Sequence, residues 1–326
     1  MTAGAAHYRA LIVITTCRRL ERIRRYLPHY ANFCASDSRF SLLVSLDGTE
    51  APYIDFCAQW DLPLIHSDER EGVGLSKNRV LRLFPDFDYY FFLDDDVELT
   101  DGAVFSTHVS LAVESGIHHF SLFARDGLRS PKGESLIGEW RISHGMFGGG
   151  QFSFFTNEGI RRVGGWHTAF AEFRRWGHTE HSYRFFRTGL APAPFNVVTA
   201  LSDTCIWHYP PTVTKTSAMH IDGDQISAVE RRLMDTELEY FPVTTLSEAH
   251  FNGKSFENVQ KLGDLVRSGQ RYPLVEGPER RQCAADYSLW RARVAKSPLV
   301  RWAHLLSAAA HWLANPRLRH QLKTGR

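Results

Sequence analysis

Short apolar runs alternate with segments of helical spacing through the first hundred residues, and this alternation limits the fold more than any other feature. Four runs have the length and composition of strands buried on both faces: Ala10–Thr16, Phe40–Leu46, 62–66 and 88–93. Between them, three segments carry their apolar residues on one helical face: 18–29, 53–60 and 74–84. The sequence therefore predicts an α/β fold, a Rossmann-like and mostly parallel sheet flanked by helices.

The charge of the chain is divided unevenly. Its 326 residues carry 38 Lys and Arg against 36 Asp and Glu, a net charge of +2. Residues 278–326 contain ten of the basic residues and two of the acidic ones, so this tail is +8 and the body is −6. A nucleic-acid binder should be basic over its working domain, so nucleic acid is not an expected partner.

The cysteines and the hydropathy pattern point to a cytoplasmic protein. Five scattered cysteines without a CxxC pair argue against a disulfide framework or a thiolate zinc site, and favour a reducing compartment. The amino-terminal residues lack the basic and apolar regions of a signal peptide. No uninterrupted apolar stretch is long enough for a spanning helix.

Polar side chains stand where the predicted strands end. Thr15 and Thr16 close the first strand, Asp47 follows the second, and residues 94–96 are three consecutive aspartates after the fourth. Ligands of open parallel sheets bind at the carboxyl ends of the strands. Three adjacent carboxylates repel one another, and a hard divalent cation is the natural compensation. Neither GxGxxG nor a Walker motif occurs, which excludes an ordinary dinucleotide binder and a P-loop enzyme.

Five ordered segments resemble the family 2 glycosyltransferases with the GT-A fold. They are LIVITTCRR, LVSLDG, GVGLSKNRV, YYFFLDDDVEL and VGGW followed by WGHTEHSYR, within residues 10–208. The resemblance implies a metal-dependent enzyme that moves a sugar from a nucleotide-sugar donor, with a UDP-sugar expected and with Mn²⁺ or Mg²⁺ on the diphosphate. It also implies inversion, and an acceptor hydroxyl on a glycan or lipid-linked glycan in surface polysaccharide or glycoconjugate synthesis.

The same resemblance assigns roles to individual residues. Those expected around the nucleotide and the donor sugar are Thr15, Thr16, Arg18, Asp47, Lys77, Asn78, Asp94 and Asp95. The expected metal ligands are Asp94, Asp96 and a downstream histidine, for which His208 is the first choice and His220 the second.

The catalytic base is expected in WGHTEHSYR, where the family usually has Glu-Asp. Aligned from one side, Glu180 and His181 replace that pair; aligned back from Arg184, Gly177 and His178 replace it. Glu180 is acidic in both alignments and is the first choice. His178 is second, because imidazole accepts protons near neutral pH, and His181 is third.

The chain divides by composition into three parts. Residues 1–211 are the predicted catalytic core, with a nucleotide half at 10–100 and an acceptor half at 101–211; residues 125–138 are expected to be a loop. Residues 212–277 are a candidate acceptor lid. Residues 278–326 include a basic amphipathic helix around 299–313, suited either to an anionic membrane surface at the inner face of the membrane or to packing on the core or on a second subunit.

Two other functions remain open from the sequence. A nucleotidyltransferase shares the sheet and the acidic ligands, although the segment 16–19 lacks the glycine of its phosphate loop. A catalytically inactive sugar-binding or scaffold protein would explain the missing Glu-Asp pair. Fold alone does not choose between these functions.

Overall fold

A computed structural model describes residues 8–124, 127–208 and 217–266, together with tail residues 298, 299, 302, 303, 305, 306, 309 and 310. The strands are β1 Ala10–Thr16, β2 Phe40–Leu46, β3 Leu64–His66, β4 Tyr89–Asp94, β5 Val97–Leu99, β6 His119–Leu122, β7 Arg129–Ile137, β8 Trp140–Phe147, β9 Phe152–Thr156, β10 Phe195–Val197 and β11 Cys205–Trp207. The helices are α1 Leu20–Ser36, α2 Ala51–Gln59, α3 Val73–Leu83, α4 Ala103–Ser115, α5 Asn157–Val163, α6 His178–Arg187, α7 Ser217–Asp235 and α8 Lys254–Val266.

Six strands form the central sheet in the order β3-β2-β1-β4-β9-β6. The first four pair in parallel, and β9 runs antiparallel to both β4 and β6. This confirms the predicted mostly parallel sheet flanked by helices. Thr15 lies opposite Asp94 in the register, and Thr16 lies opposite Leu46. The polar ends of β1, β2 and β4 therefore meet at one edge, as their sequence positions predict.

The core owes its stability to long apolar strands covered on both sides. Every residue of β1 is buried, and the first five residues of β4 are buried as well. The Phe91 ring packs against the Phe105 and Phe154 rings, with centroids 4.9 Å apart in each pair. Such ring packing, which is edge-to-face between Phe91 and Phe105 and tilted between Phe91 and Phe154, adds to the burial of apolar area. Within the described residues, no helix combines the length and the apolar character needed to cross a bilayer.

The expected loop at 125–138 is wrong over most of its length. Residues 129–137 form β7, which pairs antiparallel with β8. Since β10 pairs with the other edge of β8, these three strands form a second sheet. Nearly every residue of β7 is exposed or half-buried. A strand with both faces in solvent needs no apolar alternation, so its sequence carries no strand pattern.

Residues 217–266 pack against the core at several places. In α7, Met234 contacts Met146 and Tyr183, and the chain after α7 forms a bridge between Phe241 and Gly164. His250 forms a second bridge with His66 at the end of β3. The described part of the expected lid is thus tied to the core; residues 209–216 and 267–277 lie outside the described residues.

Candidate active site

A cleft opens where β1, β2 and β4 end. Its lining includes five residues expected there from the sequence, namely Thr15, Thr16, Asp47, Asp94 and Asp95. It also includes residues that the sequence analysis did not select: Cys17, Arg19, Arg70, Val73, Ser76, Arg174 and Arg175. Arg18, which was expected, is exposed with a positive φ, and Arg19 lines the cleft in its place. Four arginines therefore line the cleft together with three carboxylates.

The first two aspartates of the triplet have cationic partners. Thr15 donates a hydrogen bond to Asp94 at 3.0 Å, and the buried Lys77 ammonium lies 3.5 Å from the same carboxylate oxygen. Thr16 and Arg19 donate to Asp95 at 2.9 and 2.7 Å. Asp94 remains about one-third exposed at the cleft, whereas Asp95 is buried. Asp94 is consequently the member of the triplet best placed to meet a ligand.

Asp96 has less compensation. Its Oδ1 atom is buried and has no hydrogen-bond partner among the described residues, and its Oδ2 atom lies 3.7 Å from Arg19. Burial, followed by the charges of Asp94 and Asp95, raises the pKa of Asp96 to about 7. An unpartnered carboxylate oxygen beside two further carboxylates is a place that a divalent cation would stabilise. Asp94 and Asp96 are therefore the carboxylates that would hold the divalent cation implied by the resemblance to the glycosyltransferases.

His208 lies beside Asp96, but its imidazole is engaged elsewhere. Its backbone N–H donates to the Asp96 carbonyl at 2.8 Å, while its Nε2 lies 2.7 Å from a carboxylate oxygen of Glu98. The ring also stacks on Tyr26 with centroids 4.8 Å apart. Across the described part of the chain, no three His, Cys, Asp or Glu side chains converge as a ready metal site. The side chain of His220 lies outside the described residues.

Asp47 and Asn78 shape the cleft by holding backbone. The buried Asp47 carboxylate accepts hydrogen bonds from the N–H groups of Glu71 and Gly72 at 2.7 and 3.0 Å. Asn78 is completely buried and makes 2.7–2.8 Å bonds to both backbone groups of Trp166 and to the Thr244 carbonyl. These two residues fix the turn before α3 and tie α3 to the segment before α6.

The three candidate bases on α6 occupy different environments. His178 is the first residue of α6, half-buried, with Nε2 3.3 Å from the Gly148 carbonyl. Burial, helped by Lys77, lowers its pKa to about 4, and Asp94 opposes that shift. His178 lies against the 148–150 segment and is not among the described residues that line the cleft. A Cβ at Gly150 would approach the His178 ring to 2.6 Å, so glycine makes room for it.

Glu180 and His181 point into the core. Glu180 is completely buried and pairs with Arg184, at 2.9 Å from Oε1 to Nε and 3.0 Å from Oε2 to Nη2. His181 is equally buried, with Nε2 3.0 Å from the Gly164 carbonyl and its ring stacked on Trp166 at 4.1 Å. Of the three candidates, only His178 keeps exposed surface.

Two solved structures are similar to this chain over nearly its full length. Mannosyltransferase PcManGT from Pyrobaculum calidifontis, in complex with GDP-Man and Mn²⁺, is 15% identical with a TM-score of 0.51 over 96% of this chain and 89% of its own. S. aureus TarS 1-349, in complex with UDP, is 12% identical with a TM-score of 0.52 over 98% of this chain and 92% of its own. No protein-family model and no curated protein sequence matches the chain. The likenesses show that the chain has the GT-A-type fold.

Proposed function

We propose that this chain is a glycosyltransferase that takes a nucleotide-sugar donor, with a UDP-sugar as the first candidate. The observation that carries the proposal is the cleft at the ends of β1, β2 and β4, whose lining combines Asp94 with four arginines. Carboxylates beside arginines suit a ligand that joins hydroxyl groups to phosphates. The two similar structures, with GDP-Man and Mn²⁺ in one and UDP in the other, support the same ligand class.

A divalent cation, Mn²⁺ or Mg²⁺, belongs to the proposal, held by Asp94 and Asp96. Such a cation supplies charge neutralisation to the leaving nucleoside diphosphate. Since the His208 imidazole is paired with Glu98, we assign no third side-chain ligand to the cation. Protein sites for Mg²⁺ commonly use one or two carboxylates and complete the shell with substrate phosphates and water. Thr15, Thr16 and Asp95 line the donor site, and Asp47, Lys77 and Asn78 support it.

We assign the catalytic base to His178. Burial lowers the pKa of His178 to about 4, so the imidazole is unprotonated at physiological pH and has a nitrogen lone pair for the proton of an acceptor hydroxyl. A base on the side opposite the leaving group is what single displacement with inversion requires. The burial of Glu180 and its pairing with Arg184 support this choice, because a carboxylate without exposed surface cannot contact an acceptor.

The tail supports a membrane-associated acceptor, such as a lipid-linked glycan at the inner face of a membrane. Three of its described apolar residues are strongly exposed, with Leu299 at 83%, Trp302 at 65% and Leu306 at 67%. These residues recur at helical spacing within a segment of net charge +8. A basic helix with an exposed apolar stripe is typical of peripheral attachment to anionic lipid. Packing on a second copy of the chain is the alternative.

The proposal is tested with a panel of UDP- and GDP-sugars in Mn²⁺, measuring both binding and release of the nucleoside diphosphate. We expect at least one sugar nucleotide to bind and to be hydrolysed slowly without acceptor. Pyrophosphate release from a nucleoside triphosphate and a sugar 1-phosphate would identify a nucleotidyltransferase instead. Binding of sugars without nucleotide would favour the inactive sugar-binding protein.

A further inference from the structure

We propose that Arg174 is a phosphate-binding residue of the cleft, which contacts the diphosphate of the donor directly. This inference rests on the proposed function and adds to it a protein cation that acts beside the metal. Arg174 lies in the segment 171–177, between the 3-10 turn Thr168–Phe170 and α6. No sequence pattern marks Arg174, since an exposed arginine in a loop has no periodicity of its own.

The segment is held in a strained backbone conformation. Arg174 has φ of 58° and Trp176 has φ of 70°, both in the left-handed region that non-glycine residues avoid, and Gly177 follows at 87°. The Arg174 N–H donates to the carbonyls of Phe170 and Ala171 at 3.1 Å each. Strained backbone of this kind persists where the surrounding structure enforces it, and it concentrates at ligand sites.

Packing on two sides enforces this conformation. On one side, Phe173 and Trp176 pack with Ile226 and Leu233 of α7. On the other, the Arg174 backbone lies against Gly72, where a Cβ would approach the Arg174 Cα to 2.5 Å. The Asp47 carboxylate holds the Gly72 N–H group. The segment is thus fixed between α7 and the turn that Asp47 clamps, and this places Arg174 in the lining of the cleft.

The charges of the cleft leave Arg174 uncompensated. The carboxylates that line it each have a cation within 3.7 Å: Arg70 for Asp47, Lys77 for Asp94 and Arg19 for Asp95. Arg174 is exposed, and within the described residues it forms no ion pair. A positive charge without a partner at the rim of a cleft favours an anionic ligand.

The chemistry of the guanidinium group selects the part of the donor that it would bind. Arginine offers several N–H donors in one plane, which match the oxygens of a phosphate group. The base, the ribose and the sugar of a nucleotide sugar are uncharged, and the diphosphate carries the negative charge. Contact with Arg174 would hold the donor and would also stabilise charge on the departing nucleoside diphosphate as the glycosidic bond breaks.

The test compares the binding of UDP and uridine by calorimetry, in Mn²⁺ and again in EDTA. The proteins are the wild type, Arg174→Ala, Arg174→Lys and the control Arg141→Ala, which removes an exposed arginine paired with Glu134 on the β7–β8 hairpin. We expect Arg174→Ala to weaken UDP binding about 10- to 100-fold in both media, because a charge-assisted contact is lost. Uridine should bind within about twofold of wild type, Arg174→Lys should be intermediate, and Arg141→Ala should be unchanged.

The outcomes separate this inference from the proposed function. If wild-type protein binds neither UDP nor any other nucleoside diphosphate, the proposed function fails. If wild type binds UDP and Arg174→Ala binds it equally well, the inference alone is overturned. An equal loss of affinity for UDP and for uridine in Arg174→Ala would also overturn it. That result would mean that the substitution disturbs the segment 171–177 and does not simply remove a phosphate contact. The thermal unfolding midpoint of each variant identifies such a disturbance independently.

Discussion

Glu180 and Arg184 form an ion pair one turn apart on α6, and both side chains are completely buried. Arg184 also donates to the carbonyls of Val163 and Gly165, at 2.6 and 2.7 Å. The pair therefore binds α6 to the Gly164–Trp166 segment that Asn78 holds from the other side. Its position in the core makes it part of the framework behind the cleft.

Glu180→Gln is expected to reduce stability, because it leaves the Arg184 charge buried without its partner. Breaking a buried pair on one side costs about 3–5 kcal/mol. Unfolding in urea measures the loss, and the double variant Glu180→Leu/Arg184→Met should recover part of it, since no unpaired charge remains. Wild-type stability together with complete loss of transfer in Glu180→Gln would return the role of base to Glu180.

His178→Ala is expected to lower the turnover number about 100-fold or more, the usual contribution of a general base. UDP affinity should change less than twofold, because the proposed role of the imidazole is on the acceptor hydroxyl and not on the nucleotide. His250→Asn is a matched control, since His250 pairs with Asp68 on the surface. His178 itself should add no inflection near pH 6.5 to the turnover of the wild type, because its pKa lies at about 4. An inflection there that disappears in His178→Ala would contradict this environment.

Metal and nucleotide are expected to bind cooperatively. The described side chains supply two metal ligands at most, so Mn²⁺ alone should bind weakly. UDP should raise the affinity for Mn²⁺ at least about tenfold, because its phosphate oxygens add ligands. Thermodynamic linkage requires Mn²⁺ to raise the affinity for UDP by the same factor. Calorimetry measures both, and Asp96→Asn should abolish the coupling, whereas Asp55→Asn on α2 should not. Micromolar Mn²⁺ binding to the nucleotide-free protein would refute two-ligand coordination.

The protein should lose stability in mild acid. His108 and His119 are completely buried, and burial lowers the pKa of each to about 4. Since the unfolded chain takes up these protons near pH 6.5, the stabilisation is complete above that pH and is lost as pH falls toward 4. Each histidine lowers the free energy of unfolding by about 2 kcal/mol as the pH falls from 7.5 to 5. Urea unfolding at both pH values tests this, and His108→Phe, among four phenylalanine rings, should show a correspondingly smaller pH effect.

Removal of residues 278–326 should abolish binding to phosphatidylglycerol vesicles while donor hydrolysis changes less than about twofold. The wild type should bind these vesicles, dissociate from them as the salt concentration rises, and not bind phosphatidylcholine vesicles. The reason is that the attraction of the basic tail to anionic lipid is partly electrostatic. Trp302→Asp and Leu306→Asp should weaken binding without truncation. If truncation instead converts a dimer to a monomer and vesicles never bind, the tail is a subunit contact.

Much of the architecture could be predicted because its determinants are local. The strands β1, β2 and β4 are marked by continuous apolar runs, and the parallel order follows from the helices between them. The meeting of Thr15, Asp47 and Asp94 at one edge follows from that order. The exposed strand β7 escaped prediction, since backbone pairing with β8 holds it without a buried face.

The roles of single polar residues could not be predicted in the same way. From the sequence alone, Glu180, His181 and His178 are equally plausible bases, and only packing buries the first two and leaves His178 partly exposed. Arg174 is likewise brought to the cleft by Gly72, about a hundred residues earlier, and by α7, about fifty residues later. The sequence by itself determined the sheet and its acidic edge, because strand formation depends on neighbouring residues. The tertiary structure alone decided which side chains meet a ligand, because burial and charge pairing depend on residues far apart in the chain.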